Sequence, residues 1–285
     1  MNLTDISEIR ALLSQNGFRF SKSMGQNFLI ADWVPERIAE ESGVSPANCV
    51  LEIGPGVGCL TEKLSASTGR VVAVELDSRL MPVLEKTLAG CKNVEVINAD
   101  VMKLDLAGLV RERFSPLEPA VCANLPYNIT TPVLTKLIES ELFSSVTVMV
   151  QREVAERICA AAGTADYGAF TLLVQYYTEP EMLFRVPASC FEPRPKVESA
   201  VIRLTRRAAP PVGCCKELLF RIIRAAFSQR RKTLSNALAS GFPSLNKQQI
   251  SESIESAGLS PSIRGESLTL AAFAAITDQF EKILP

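Results

Sequence analysis

From residue 49 the chain alternates short, apolar, β-branched runs with stretches whose apolar residues recur at helical spacing. "CVLEIGPGVG" predicts a strand and loop, "CLTEKLSAST" a helix, "RVVAVELD" a strand, "SRLMPVLEKTL" a helix and "VEVINAD" a strand. "PAVCANLPY" reads as a fourth strand, "TTPVLTKLIES" as a helix and "SSVTVMVQ" as a fifth strand. Strands separated by helices of this length imply a doubly wound, mainly parallel α/β sheet, because each crossover must return over the sheet. Ligands of such sheets bind at the strands' C-terminal edge. After Gln151 come a helix "REVAERICAA", a glycine-containing loop "GTADYGAF", a helical run "TLLVQYYT" and two strand candidates, "EMLFRVP" and "VESAVIRLT". "RRAAPPVG" marks a linker near 206–213, and everything beyond it reads helical. The expected organisation is an α/β domain over residues 1–207, N-terminal arm included, and a small all-helical domain over 208–285.

Composition narrows the class. A chain of 285 residues slightly exceeds what one core organises, in line with two domains. No apolar run approaches the roughly 18 residues a membrane span needs. "MNLTDISEIRALL" has acidic residues early and no apolar signal core, so a cytoplasmic protein that does not engage membranes is expected. The eight cysteines sit mostly in apolar runs without a CxxC pair, which reads as reduced core thiols and no metal site. The chain has no histidine. Ser-His-Asp and Cys-His catalysis, HExxH zinc sites and imidazole general bases are thereby excluded.

Net charge is −1, yet residues 194–232 alone carry +9. By itself such a run is either a solvated face or a surface for a polyanion.

The chemistry concentrates at predicted strand ends. Gly54, Gly56 and Gly58 lie between a strand and a helix, where glycines let the backbone turn tightly and approach a ligand. The dinucleotide fingerprint would place its third glycine at 59, which is Cys59 here; GxGxG fits S-adenosylmethionine better than NAD. Glu75 ends the next strand, where a carboxylate can accept both ribose hydroxyls. Asp100 ends the third and either accepts from an adenine amine or caps a helix. At the end of the fourth strand stand Asn124, Leu125, Pro126 and Tyr127. The Asn124 amide oxygen and the Leu125 carbonyl, fixed by Pro126, can take hydrogen bonds from an exocyclic amine and aim its lone pair at a methyl donor. Tyr127 offers a ring face to the base. An Asn-x-Pro turn with a core tyrosine is the plain alternative.

Taken together, "GQNFL" (25–29), "LEIGPGVGCLT" (51–61), "VAVELD" (72–77), "NAD" (98–100), "NLPYNITTPVL" (124–134), "FEPRPKVESAVIRL" (191–204) and "AFSQRRKTLSNAL" (226–238) resemble the ribosomal RNA adenine N6-dimethyltransferases, nearly end to end. The tail "GLSPSIRGESLTLAAFAAI" (258–276) is similar to the small-subunit branch. The resemblance implies a Rossmann-like methyltransferase sheet that uses S-adenosyl-L-methionine, bound by Asn27, Leu29, Gly54, Gly56, Glu75, Asp100 and Asn124. It also implies that Phe191 sandwiches the flipped adenine with Tyr127, although on its own Phe191 could be a core aromatic beside a proline turn. The implied partner is small-subunit (16S) ribosomal RNA within the small ribosomal subunit. Two methyl groups would go to N6 of adenosines in a hairpin loop, with a role in subunit biogenesis and the enzyme acting as a monomer.

Arg194, Lys196, Arg230, Arg231 and Lys232 are the expected RNA-backbone contacts, and Arg10, Arg19 and Lys22 add a basic N-terminal arm. Three other readings stay open at this point: a dimethyltransferase acting on large-subunit RNA, a DNA adenine methyltransferase, whose motif more often reads (Asn/Asp)-Pro-Pro-Tyr, and a noncatalytic RNA-binding factor on the same fold.

Overall fold

The computed structural model describes residues 1–16, 27–229 and 231–284; Arg19, Lys22, Gly25, Gln26 and Arg230 lie outside the described residues. The chain divides into two units, Met1–Ala155 with Glu179–Arg206, and Glu156–Thr178 with Arg207–Pro285. The expected division at 207, which places residues 156–178 in the first domain, differs from this over that segment.

The first unit opens with α1 (Ile6–Gln15), β1 (Phe28–Leu29) and α2 (Trp33–Glu41), then enters the alternating region. There β2 (Asn48–Ile53), α3 (Cys59–Ser67), β3 (Arg70–Glu75), α4 (Met81–Thr87), β4 (Val94–Asn98), α5 (Leu106–Arg113) and β5 (Glu118–Asn124) follow in turn. The chain continues through α6 (Thr130–Glu139), β6 (Ser145–Gln151) and α7 (Arg152–Ile158). Beyond α8 (Ala169–Tyr177) lie β7 (Thr178–Val186), β8 (Phe191–Glu192) and β9 (Ser199–Arg206).

Seven strands form one sheet in the order β4-β3-β2-β5-β6-β9-β7. β2 lies parallel to β3 and β5, as do β3 to β4 and β5 to β6, while β9 runs antiparallel to β6. Every residue of β2, and all of β3 except Arg70, is buried. That unbroken burial explains why these strands read as continuous apolar runs rather than alternating ones. One apolar cluster gathers Val34, Ile38, Val50, Leu64, Val71, Cys122, Met149 and Val201. A second places Ile9, Leu12 and Leu13 of α1 against Phe28, Val57, Leu80, Val83 and Leu84. A separate two-stranded ladder pairs β1 with β8, Phe28 opposite Glu192 and Leu29 opposite Phe191.

The second unit is helical: α8 together with α9 (Lys216–Ser228), α10 (Leu234–Gly241), α11 (Lys247–Ser256) and α12 (Leu270–Ile283). Residues 156–178 join it because the aromatic end of α8 has its apolar partners there. Tyr177 stacks on Phe220 of α9 at 6.2 Å, and Tyr176 meets the same ring edge-on at 5.1 Å. The Tyr167 hydroxyl donates to the Leu268 carbonyl at 2.8 Å, satisfying a buried polar tip. Among the described residues no helix is long and apolar enough to cross a membrane.

Candidate active site

The C-terminal ends of β2, β3, β4 and β5 meet at a cavity of about 270 Å³. The glycine loop after β2 forms its floor. Gly54, Gly56 and Gly58 have φ of 68°, 62° and 93°, the left-handed region that side chains rarely adopt. A Cβ on Gly58 would also come within 2.9 Å of the Leu88 side chain, so this turn into α3 demands glycine twice over.

Glu75, at the end of β3, is 6% exposed, and its Oε1 accepts from the Asp77 N–H at 2.8 Å. Burial raises its carboxyl above the ordinary range, opposed by hydrogen bonds from the backbone of Asp77 and Gly56. Asp100 stands at the start of a turn: its Oδ1 accepts from the Met102 N–H at 2.9 Å, and its backbone carbonyl accepts from the Lys103 N–H at 2.9 Å. It therefore caps that turn and lines the cavity at once.

The Asn124-Leu125-Pro126-Tyr127 segment closes another side. The Leu125 N–H donates to the Met149 carbonyl at 3.1 Å, which continues the β5–β6 ladder one residue past the strand. The Pro126 carbonyl accepts from the Ile129 N–H at 3.2 Å and from the Thr130 hydroxyl at 3.1 Å, so the turn is held from within. Among the described residues no hydrogen bond engages the Asn124 amide or the Leu125 carbonyl. The Tyr127 hydroxyl shares a 2.7 Å hydrogen bond with the fully buried Ser199 on β9, which fixes the ring. Burial pushes the phenol up from its usual value, and Ser199 partly opposes the shift.

The structure thus brings Asn27, Leu29, Gly54, Gly56, Glu75, Asp100, Asn124, Leu125, Pro126 and Tyr127 to one cavity wall. Phe191 is not among them. Its ring is 1% exposed and belongs to the apolar cluster that includes Leu29, Cys190 and Met149. The β1–β8 ladder seats Phe191 in the core while Tyr127 lines the cavity, so the two rings expected to flank an adenine occupy different surroundings here. Arg194 and Lys196 are exposed between β8 and β9 in the first unit, and Arg231 and Lys232 are exposed between α9 and α10 in the second.

Sequence reasoning missed Glu52, Phe28, Leu80 and Asn128, all in the cavity wall. Glu52 is the most informative of these. It is 1% exposed, and its Oε2 has no hydrogen-bond partner. Burial pushes its carboxyl up to about 8; the charge of Glu75 adds to the shift, and the nearby Thr61 hydroxyl opposes it without reaching hydrogen-bond geometry. The available signal was a lone acid inside the apolar strand "CVLEI".

Among the described residues three carboxyl groups, Glu52, Glu75 and Asp100, line the cavity, and no lysine or arginine does. A wall of carboxyl oxygens suits a positively charged ligand, which on binding would favour ionisation of the raised Glu52 and Glu75 carboxyls, and glycines beside acids at successive strand ends suit a nucleoside. With the strand order and the antiparallel strand beside β6, they define an α/β methyltransferase that takes S-adenosylmethionine, whose sulfonium and ammonium groups match the acidic wall.

Residues 17–274 match the family described as Ribosomal RNA adenine dimethylase, and the chain belongs to it. It is 45% identical over 275 residues to the Alkaliphilus metalliredigens protein named Ribosomal RNA small subunit methyltransferase A, covering 96% of each chain. A Geobacillus thermodenitrificans protein of the same name is 45% identical, with 94% of each chain covered. Among solved structures, a dimethyladenosine transferase from Plasmodium falciparum aligns with a TM-score of 0.75 at 25% identity, over 89% of this chain and 97% of that one. The 23S rRNA methyltransferase ErmE aligns with a TM-score of 0.69 at 27% identity, over 90% and 100%.

Proposed function

We propose that the enzyme transfers two methyl groups in succession to N6 of adenosines in a hairpin loop of small-subunit ribosomal RNA, and so takes part in maturation of the subunit. The observation that carries this reading is the pair of unengaged acceptors, the Asn124 amide and the Leu125 carbonyl, at the mouth of an acid-lined cavity. S-adenosylmethionine, when bound, supplies an electrophilic methyl group.

The chain's own residues do the rest. Asn124 Oδ1 and the Leu125 carbonyl accept the two N–H bonds of the adenine amine, which points its lone pair out of the ring plane. Tyr127, braced by Ser199, presents its ring to the base. Glu75 accepts from the ribose hydroxyls, Asp100 from the cofactor's adenine amine, and Asn27 and Leu29 close the cavity. A methylated amine nitrogen is acidic and loses its proton readily, which accords with a chain that has no histidine. An adenine must leave its stack to reach these groups, which favours an unpaired loop nucleotide. Arg194 and Lys196 on one unit, and Arg231 and Lys232 on the other, offer exposed cations to the phosphate backbone.

The small-subunit reading is supported by relatives of that name at 45% identity over nearly the whole chain, against 27% for the 23S enzyme. The test is methyl transfer from labelled S-adenosylmethionine to unmethylated small subunits, large subunits, naked RNA and DNA, followed by nucleoside mass spectrometry. Dimethyladenosine confined to small-subunit RNA is expected; label in large-subunit RNA or DNA would overturn the substrate assignment.

A further inference from the structure

One polar contact beside the cavity is not explained by the groups that touch ligand. Lys136 lies on α6, the helix that begins just after Asn128 and Ile129 leave the cavity wall. Its Nζ donates three hydrogen bonds, to the carbonyls of Val101 at 2.9 Å, Met102 at 2.8 Å and Leu104 at 2.8 Å. An ammonium has three donors, and here all three are used on one turn. Among the described residues no carboxylate pairs with it.

The turn it grips is the one Asp100 caps. β4, which leads into Asp100, and β5, which ends in Asn124, are separated in the sheet by β3 and β2. No strand-to-strand hydrogen bond therefore links the two ends. We propose that Lys136 is a positioning residue for the cofactor's adenine subsite: its ammonium gathers the three carbonyls of residues 101–104 and so holds the Asp100 carboxylate and Val101 in register with the Asn124 segment at the start of α6.

The physical logic is a convergence of dipoles. Three carbonyl oxygens aimed at one point repel each other unless a cation sits there, and without it the turn opens toward water. Asp100 Oδ1 is bonded to the Met102 N–H, so the turn's opening carries the carboxylate with it. The Lys136 side chain itself is absent from the cavity wall, so the effect reaches cofactor only through the turn.

The inference rests on the reading of the cavity as the S-adenosylmethionine site, and a thermodynamic cycle separates the two. Affinity for S-adenosylmethionine is measured by calorimetry for the wild type, Lys136→Met, Asp100→Asn and the double variant, with kcat at saturating cofactor alongside. Lys136→Met is expected to weaken binding about tenfold with kcat within about threefold, and the double variant to be no weaker than about twice the worse single one. Lys136→Gln, which keeps an amide donor, is expected to fall between wild type and Lys136→Met, and it replaces Lys136→Met in the cycle should that variant not fold. A merely structural lysine would give additive losses or none in affinity, and either result overturns the proposal alone. A wild type that binds no S-adenosylmethionine overturns the cofactor reading, and this proposal with it.

Discussion

Asn124→Ala is expected to lower methyl transfer by about 10²–10³-fold at saturating cofactor and RNA, a loss of the size seen when one preorganised polar group is removed from a reacting centre. Affinity for S-adenosylmethionine should change by no more than about threefold, on the order of 0.7 kcal/mol. The asymmetry follows from where the amide stands. It lines the cavity at the end of β5, and among the described residues it engages no other protein group, so its removal orphans nothing in the fold. The Leu125 carbonyl stays in place, since Leu125 N–H remains tied to Met149 and the Pro126 carbonyl to Ile129 and Thr130. What is lost is one of the two acceptors that turn the amine's lone pair toward the methyl group. Single-turnover transfer and calorimetric titration read the two quantities separately; equal losses in both would remove Asn124 from the transfer step and make it a cofactor contact.

The second large effect concerns the cofactor-free protein and pH. Glu52 is buried, has an unpartnered carboxyl oxygen, and its carboxyl is pushed up to about 8. In the unfolded chain a glutamate releases its proton near pH 4.3. Between about pH 4.5 and 8 the folded state therefore holds a proton that the unfolded state has lost, and stability falls as pH rises through that window. Above it both states are ionised, and the penalty of a buried charge is fully present. Glu52→Gln cannot ionise, so it should flatten most of the decline and leave the variant more stable than wild type by a few kcal/mol at pH 8, on the order set by the shift. Glu75 is raised in the same direction and leaves a residual slope of the same sign. Urea unfolding from pH 5 to 8 is the measurement, and parallel curves for the two proteins would falsify the assignment of this penalty to Glu52.

Much of this site was readable before any coordinates, and the reason is geometric. Parallel strands buried on both faces leave unbroken apolar runs, and the polar residues that end them, Glu75, Asp100 and Asn124, fall at one sheet edge. Glu52 escaped because it lies inside such a run rather than after it, where motif reading attends to the neighbouring glycines. Phe191 was read for its chemistry, but its burial depends on Leu29, 162 positions away, and no local period records that pairing. The same holds for residues 156–178: an amphipathic helix announces an apolar face but not which core will take it, and Phe220 decides the matter. The role of Lys136 cannot be read from the sequence, because the carbonyls it gathers carry no sequence signature.

The β1–β8 ladder has one more consequence. Its strands are two residues long, and they join segments that close almost the whole sheet between them. Contacts so distant in sequence form only after the intervening structure has bought down the entropy of closing the chain. A ladder this short is also the cheapest in the unit to undo, so the Ile30 amide, which donates to the Cys190 carbonyl, should exchange with solvent faster than amides of β2. Phe28 and Leu29 line the cavity from this ladder, so the wall they form is expected to take shape after the sheet it covers.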